Sequence, residues 1–544
     1  MKKSTLLVSA MAATLLSTTA MACTSIPTGK LASVDGSVMT THTDDCGYCD
    51  PILYYRAAAD YEAGSMREVY SGHGFRSVGD SRYSLPALRG EIPQVEHTYA
   101  YFEGSYAIMN EHQVALGETT TSGRRELRNG DAWFNIVSLS QVALERATTA
   151  REAIEIMGEL AEKYGYCDGG ECLTVADENE VWMFEIFGPG PLWAQGDETP
   201  GAVWAAQRIP DDHCGVSANR SRIGEIDLEN TEFFMASSNV YTLAEDMGWW
   251  DPSTPFVYYE AYGPKDDPYN WRREWRVLSL LAPSLELDPY ANRYPFSVKP
   301  DELVSVDTLN QIQRDHYEGT EFDLTKGLAA GPFGTPDRWA TSGKLGAWER
   351  AISIFRAAYT WTSQSRSWLP DMIGGIIWFG ADTPHATVYV PIYCGATQSP
   401  DSYAKGNTTQ FDSTAAWWVY DFVENFANLK YSYMIQDIKA KQAEIENRQY
   451  EMQVAIENAA LKMYEQNPEL AAAFLTNYTV SNANRVVKEY WEFAESLIVK
   501  YNDGYINTPS VGQTVGYPEE WLLEVGFGPV PREAEEELSA RVVF

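Results

Sequence analysis

The chain has 544 residues and a formal net charge of −35, with 76 acidic against 41 basic side chains. Such a surface repels phosphate backbones and anionic lipid, which excludes nucleic acid and an acidic membrane surface as partners. A hydrophobic share of 44% with 13% aromatics excludes a disordered chain and allows a large core in one to three domains.

The N-terminus reads as an export signal. Lys2 and Lys3 precede an apolar run over residues 6–16, and Ala20-Met21-Ala22 is a small-x-small cleavage site. Residues 1–22 are expected to be removed, leaving Cys23 first in a mature chain delivered to the bacterial periplasm or beyond. No later stretch is long and apolar enough to span a membrane. A rival reading makes Cys23 the lipid-bearing residue of an anchored binding protein. Ala20 stands where such lipoproteins usually carry Leu, and Met21 is also atypical there.

Seven cysteines occur: Cys23, Cys46, Cys49, Cys167, Cys172, Cys214 and Cys394. In an oxidising compartment even sets tend to pair. Setting Cys23 aside leaves six, with Cys46–Cys49 and Cys167–Cys172 suggested by closeness and Cys214 and Cys394 left to each other. Six cysteines allow about fifteen pairings, so connectivity stays open. Cys46-Gly47-Tyr48-Cys49 reads as a structural disulfide, with a redox pair or half a zinc site beside His42, Asp44 and Asp45 as alternatives.

Taken in order, Asp35-Gly36 signals a two-residue hairpin turn, with a β-branched run returning over residues 38–41. That register sets Cys23 opposite Tyr48 and Asp45 near Ile26. Strands are expected over 98–108 and 113–121, a helical pair over 140–164, a strand pair over 173–186 broken at Glu178-Asn179, and a strand over 202–208. A basic cluster, Arg272-Arg273-Glu274-Trp275-Arg276, follows. Late strands are expected over 376–379 and 387–391, then long helices over 417–464 and 478–501 that cover the core or join subunits into a homo-oligomer. Blocks of strands and helices suit layered sheets flanked by helices.

An N-terminal cysteine carries its own base. The α-amine titrates near about 7.7–8.0 and a thiol near about 8.5, so the amine can take the thiol proton. The thiolate attacks a carbonyl, and the ammonium returns its proton to the leaving amine. Nothing in this chemistry requires a metal or cofactor, and the chain has no Gly-x-Ser-x-Gly elbow, His-Glu-x-x-His motif or phosphate loop.

Cys23-Thr24-Ser25 through Asp35-Gly36-Ser37 and Thr43-Asp44-Asp45 resembles the opening of cysteine dipeptidases of the PepD type, which are N-terminal-nucleophile (Ntn) hydrolases. The likeness continues in order through Ile92-Pro93-Gln94-Val95, Met109-Asn110-Glu111, Gly117-Glu118-Thr119-Thr120, Ala218-Asn219, Gly331-Pro332-Phe333-Gly334, Trp368-Leu369-Pro370 and Tyr389-Val390-Pro391. The resemblance implies an α+β fold, an αββα sandwich over residues 23–410 with a mainly helical region over 411–544. It implies hydrolysis of dipeptides through a thioester acyl-enzyme. Carried over, Cys23 is nucleophile and base, Asp45 orients the ammonium, Asn219 donates to the oxyanion, and Arg273 or else Arg276 steadies the site. The wider family often has Arg where His42 stands, and Glu118-Thr119 stands where acylases use Asn. Read as ordinary structure, Asp45 is a turn acid, Asn219 a helix cap, Arg273 an ion-pair partner, Asn110 a turn residue and His42 a packed or gating side chain. An amidase acting on non-peptide acyl amides is the alternative with the same fold.

Overall fold

The structure is a computed structural model describing residues 23–46, 49, 51–71, 86–265, 267–339, 341 and 346–527. The expected export signal over 1–22, and Gly47 and Tyr48 of the cysteine tetrad, lie outside those residues. The fold is mixed α+β. The strands of its two larger sheets are β1 (Val38–Asp44), β2 (Tyr54–Arg56), β3 (Tyr101–Glu103), β4 (Ala107–Asn110), β5 (Ala115–Thr120), β6 (Glu171–Ala176), β7 (Val181–Phe187), β8 (Val203–Arg208), β9 (Phe234–Ala236), β10 (Tyr359–Ser365), β11 (Ile376–Ala381) and β12 (Val390–Tyr393). One sheet runs β1-β10-β11-β12 and the other β9-β8-β7-β6-β5-β4-β3-β2. β10 pairs with the whole of β1, from Val38 opposite Ser365 to Asp44 opposite Tyr359.

The sheets meet face to face through small residues. Thr40 Oγ1 on β1 hydrogen bonds Thr174 Oγ1 on β6 at 2.7 Å. A Cβ on Gly117 would stand 2.6 Å from the carbonyl oxygen of Thr41, so the approach of β5 to β1 requires glycine there. Helices α1 (Ile136–Arg146) and α2 (Ala150–Tyr164) cover the outer face of the larger sheet with Leu139, Val142, Ile154 and Met157. Asn135 opens α1 by accepting from Ser138 N at 2.9 Å, and Gly165, at φ +79°, ends α2. Gly158 on α2 lies against Trp204, whose ring atoms would stand 2.5 Å from an added Cβ. Gly158→Ala is therefore expected to destabilise by about 1–3 kcal/mol through overpacking, despite alanine's better helix propensity. Urea unfolding measures it, and a more stable variant would contradict the packing described.

Helices α5 (Ala416–Ala427), α6 (Tyr431–Tyr464) and α7 (Pro468–Tyr501) lie against β11 and β12, burying Val419, Val423, Ile438, Val486 and Tyr490. The helix expected over 417–464 is interrupted at 428–430. The one expected from 478 starts ten residues earlier, where Asn467 caps the helix and Pro468 takes its first position. Two further helices are α3 (Pro268–Leu281), which carries Arg273, and α4 (Val306–Gln313), which bonds β10 through Gln313 and Thr362.

The hairpin register differs from expectation by four residues. Thr24 bridges Thr43 and Thr28 bridges Met39, so Cys23 faces the Asp44 end of β1. The connection is a wider loop in which Asp35 accepts from Ser37 N at 3.0 Å, an Asx turn that the Asp-Gly pair also favours. Residues 24–28 are flanked on their other side by 214–217, through Ser25–Ser217 and Thr28–Cys214 bridges.

Of the expected disulfides only Cys46–Cys49 forms; Cys23, Cys167, Cys172, Cys214 and Cys394 are free thiols. Cys172 sits inside β6 among the residues between the sheets, while Cys167 lies in the loop before it. Cys214 packs beside Ile26 and Val216, and Cys394 gives its S–H to Asp371 O at 3.0 Å. An odd count therefore does not single out Cys23.

Candidate active site

Cys23 begins the segment that runs between β1 and residues 214–217, and it is fully buried. Its carbonyl oxygen accepts from Arg273 Nη1 at 2.8 Å, and the same nitrogen donates to Thr24 Oγ1 at 2.9 Å. Arg273 Nη2 reaches Asn219 Oδ1 at 2.7 Å and Ala218 O at 3.1 Å. One buried guanidinium thus ties the Cys23 backbone to Asn219. Arg276, the alternative, is three residues on and faces elsewhere: its guanidinium forks onto Asp315 at 2.6–2.8 Å.

Asn219 has a left-handed backbone, φ +65°, and no helix follows it, so it is not a cap. Its Nδ2 donates to Thr120 O at 2.9 Å, and its carbonyl accepts from Asn270 Nδ2 at 2.9 Å and Lys265 Nζ at 3.2 Å. These bonds hold one loop beside the start of the chain.

Asp45 is buried next to Cys23. Its Oδ2 pairs with Arg350, and its carbonyl accepts from Arg356. Its Oδ1 meets no hydrogen-bond partner among the described residues, nor does either carboxylate oxygen of Asp44. Burial raises the Asp45 carboxyl, and the charges of Arg350, Arg356 and Arg273 oppose that rise. Tyr269 Oη lies 3.3 Å from both Arg350 Nε and Arg356 Nη2, and these arginines hold its hydroxyl below the usual tyrosine range against the effect of burial.

His42 and Glu118 close the other side. His42 Nε2 is 3.6 Å from Glu118 Oε2, and a ligand atom of each lies within 4.8 Å of the Cys23 thiol. The imidazole is packed edge-on against Tyr106, Tyr359 and Trp361. Burial works against the Glu118 carboxylate, but His42 and Glu171 outweigh it and hold Glu118 below the usual range. Burial, with the charge of Glu118 beside it, pushes Glu171 well above its usual range. Burial pushes the Cys23 thiol well up, and Glu118, Asp45 and Asp44 add to the rise. With the chain intact before Cys23, its nitrogen is an amide, and the thiol is held protonated. Cys23, His42 and Glu118 carry donors of the types that bind zinc. Asp44, Cys46 and Cys49 also cluster, but with both sulfurs in the disulfide that group is not a thiolate site.

Asp44 is pushed well above the usual carboxylate range by burial, only partly offset by Ser105. A raised folded-state value means that its contribution is fully present below the unfolded value of about 3.9 and is lost as pH rises through the folded one. Asp44→Asn is therefore expected to melt higher than the parent at neutral pH, with the gap closing towards pH 4. A gap independent of pH would contradict this.

Asn110 proves structural, donating to Leu144 O and Ala147 O and accepting from His112 N and Val114 N. Arg350 and Arg356, absent from the sequence-based site, arrive from about 300 residues away because β10 docks beside β1. The alternating polar and β-branched or aromatic run of β10 was a usable strand signal. No local signal marks the two arginines before it.

Comparison with known proteins supplies the class: this is a peptidase, a hydrolase of peptide bonds. The chain belongs to Peptidase family C69, which it matches over residues 22–444. It is 27% identical over 402 residues to a "Probable dipeptidase" of Latilactobacillus sakei, covering 70% of this chain and 76% of the relative. It is 29% identical over 424 residues to a "Probable dipeptidase B" of Lactococcus lactis subsp. lactis (strain IL1403), covering 73% and 79%. A "Dipeptidase A" of Lactobacillus helveticus is 24% identical over 424 residues, covering 75% and 82%.

Proposed function

We propose that the chain is an exported dipeptidase of the Ntn type, activated when removal of residues 1–22 frees the Cys23 amine. The observation that carries this reading is the buried acid pair beside Cys23, in which Asp45 Oδ1 and both Asp44 oxygens meet no partner among the described residues. Unpaired buried carboxylate oxygens are costly, and a new ammonium at Cys23 offsets that cost. The printed names of the relatives support dipeptides as substrates. The order helix, sheet, sheet, helix supports the αββα sandwich.

In this reading the α-amine takes the Cys23 thiol proton, and the thiolate adds to the scissile carbonyl carbon. Asn219 donates to the oxyanion while Arg273 holds the Cys23 carbonyl. The C–N bond breaks, the amine leaves with the ammonium proton, and a thioester remains. Water, deprotonated by the amine, adds to the thioester and returns the free acid and the thiol. Asp45 keeps the ammonium oriented, and Arg350 keeps Asp45 in place.

The test is the mass of the N-terminal peptide of protein exported by a bacterial host, followed by assay on dipeptides and on N-acyl amides. An unmodified chain starting at Cys23 and active on dipeptides is expected. A lipidated Cys23, or turnover of acyl amides alone, overturns the proposal.

A further inference from the structure

A second group of donors lies away from Cys23. Asp337, His385 and Glu424 each offer a ligand atom, all within 4.8 Å of one another. They come from three parts of the chain: the loop after Thr335, the turn following β11, and the last turn of α5. His385 and Glu424 are 4% and 3% exposed. A carboxylate oxygen of Asp337 and one of Glu424 thus lie within 4.8 Å of each other, an arrangement of two acids that a shared proton or a cation relieves. Glu424 Oε1 and Oδ2 of neighbouring Asp382, itself 2% exposed, meet no hydrogen-bond partner among the described residues.

The surroundings suit a cation. Asn428 Nδ2 donates to Asp337 Oδ2 at 2.7 Å, which fixes that carboxylate. Ser353 Oγ lies 3.1 Å from His385 Nδ1, the kind of outer partner that orients a ligating imidazole. Asp382 and Asp421 add negative charge around Glu424. One imidazole with two carboxylates, His385 and Glu424 buried and Asp337 half-buried, is a donor set for Zn²⁺ or Mn²⁺.

We propose that Asp337, His385 and Glu424 form a divalent transition-metal site that pins the 335–338 loop, the turn after β11 and α5 to one another. The same ion would brace the segment of Ser353, which carries Arg350 and Arg356 towards Asp45. This inference does not depend on the proposed substrate or on the freeing of Cys23.

The test is binding of Mn²⁺ to the chelator-treated full chain without reductant, followed by loss of the free-ion electron paramagnetic resonance signal. One equivalent is expected to bind. Glu424→Gln and His385→Ala are each expected to weaken binding by at least ~10-fold. Cys23→Ala is expected to bind as the parent does, which separates this site from the Cys23–His42–Glu118 group. Anomalous diffraction from parent crystals grown with Mn²⁺ decides the matter if the variants fail to fold, with a peak expected between the three side chains. No binding by the folded parent, unchanged binding by a folded Glu424→Gln protein, loss of binding in Cys23→Ala, or a peak elsewhere overturns the proposal; a shared proton is then what joins Asp337 to Glu424.

Discussion

Cys23→Ala is expected to lower peptidase activity by at least ~10⁴-fold while leaving the fold intact. The magnitude follows from removing the proposed nucleophile, whose partners would work only through it. The fold should survive because alanine fills most of the same buried space, and because the Arg273 bond goes to the Cys23 carbonyl oxygen, not to sulfur. Kinetics on a dipeptide, with a thermal melt as control, measure both halves. Activity within about tenfold of the parent in a folded variant would remove Cys23 from the chemistry.

The second large effect is on stability. Glu274, on α3, is fully buried and takes two arginines at once: Arg220 Nε at 2.6 Å from Oε1, and Arg222 on Oε2. Both guanidiniums are also buried. Glu274→Gln keeps the volume but leaves two buried cations without their anion. A loss of about 3–5 kcal/mol is expected, since breaking one partner of a buried ion pair strands the rest. Arg273, the preceding residue on the same helix, would be disturbed with it, so activity should fall as well. Denaturant unfolding gives the number, and a loss under about 1 kcal/mol would show that water or another acid replaces Glu274.

What the sequence made legible follows from distance along the chain. The helical pair over 140–164 appears as α1 and α2 because its apolar spacing is local and its caps lie within it. The neighbourhood of Cys23 and Asp45 was legible because a single turn joins them, although the turn misjudged the register by four residues. Asn219 and Arg273 were reached only through ordered family segments, and the structure joins them by a 2.7 Å bond. Arg350 was not legible, because nothing near residue 350 records that β10 will lie along β1. The cysteine pairing failed for a related reason. Closeness in sequence brings Cys46 and Cys49 together across a turn, but Cys172 is committed to a strand and faces the other sheet.

The strand position of Cys23 also bears on timing. Residues 24–28 are held on both sides, by β1 and by 214–217, and Cys23 itself is inaccessible to solvent. For the proposed removal of residues 1–22, a separate protease would therefore meet an open Cys23 only before those ladders close. Under the cleavage proposed above, maturation becomes a race between cleavage and folding, and a chain that folds first keeps the Cys23 nitrogen as an amide.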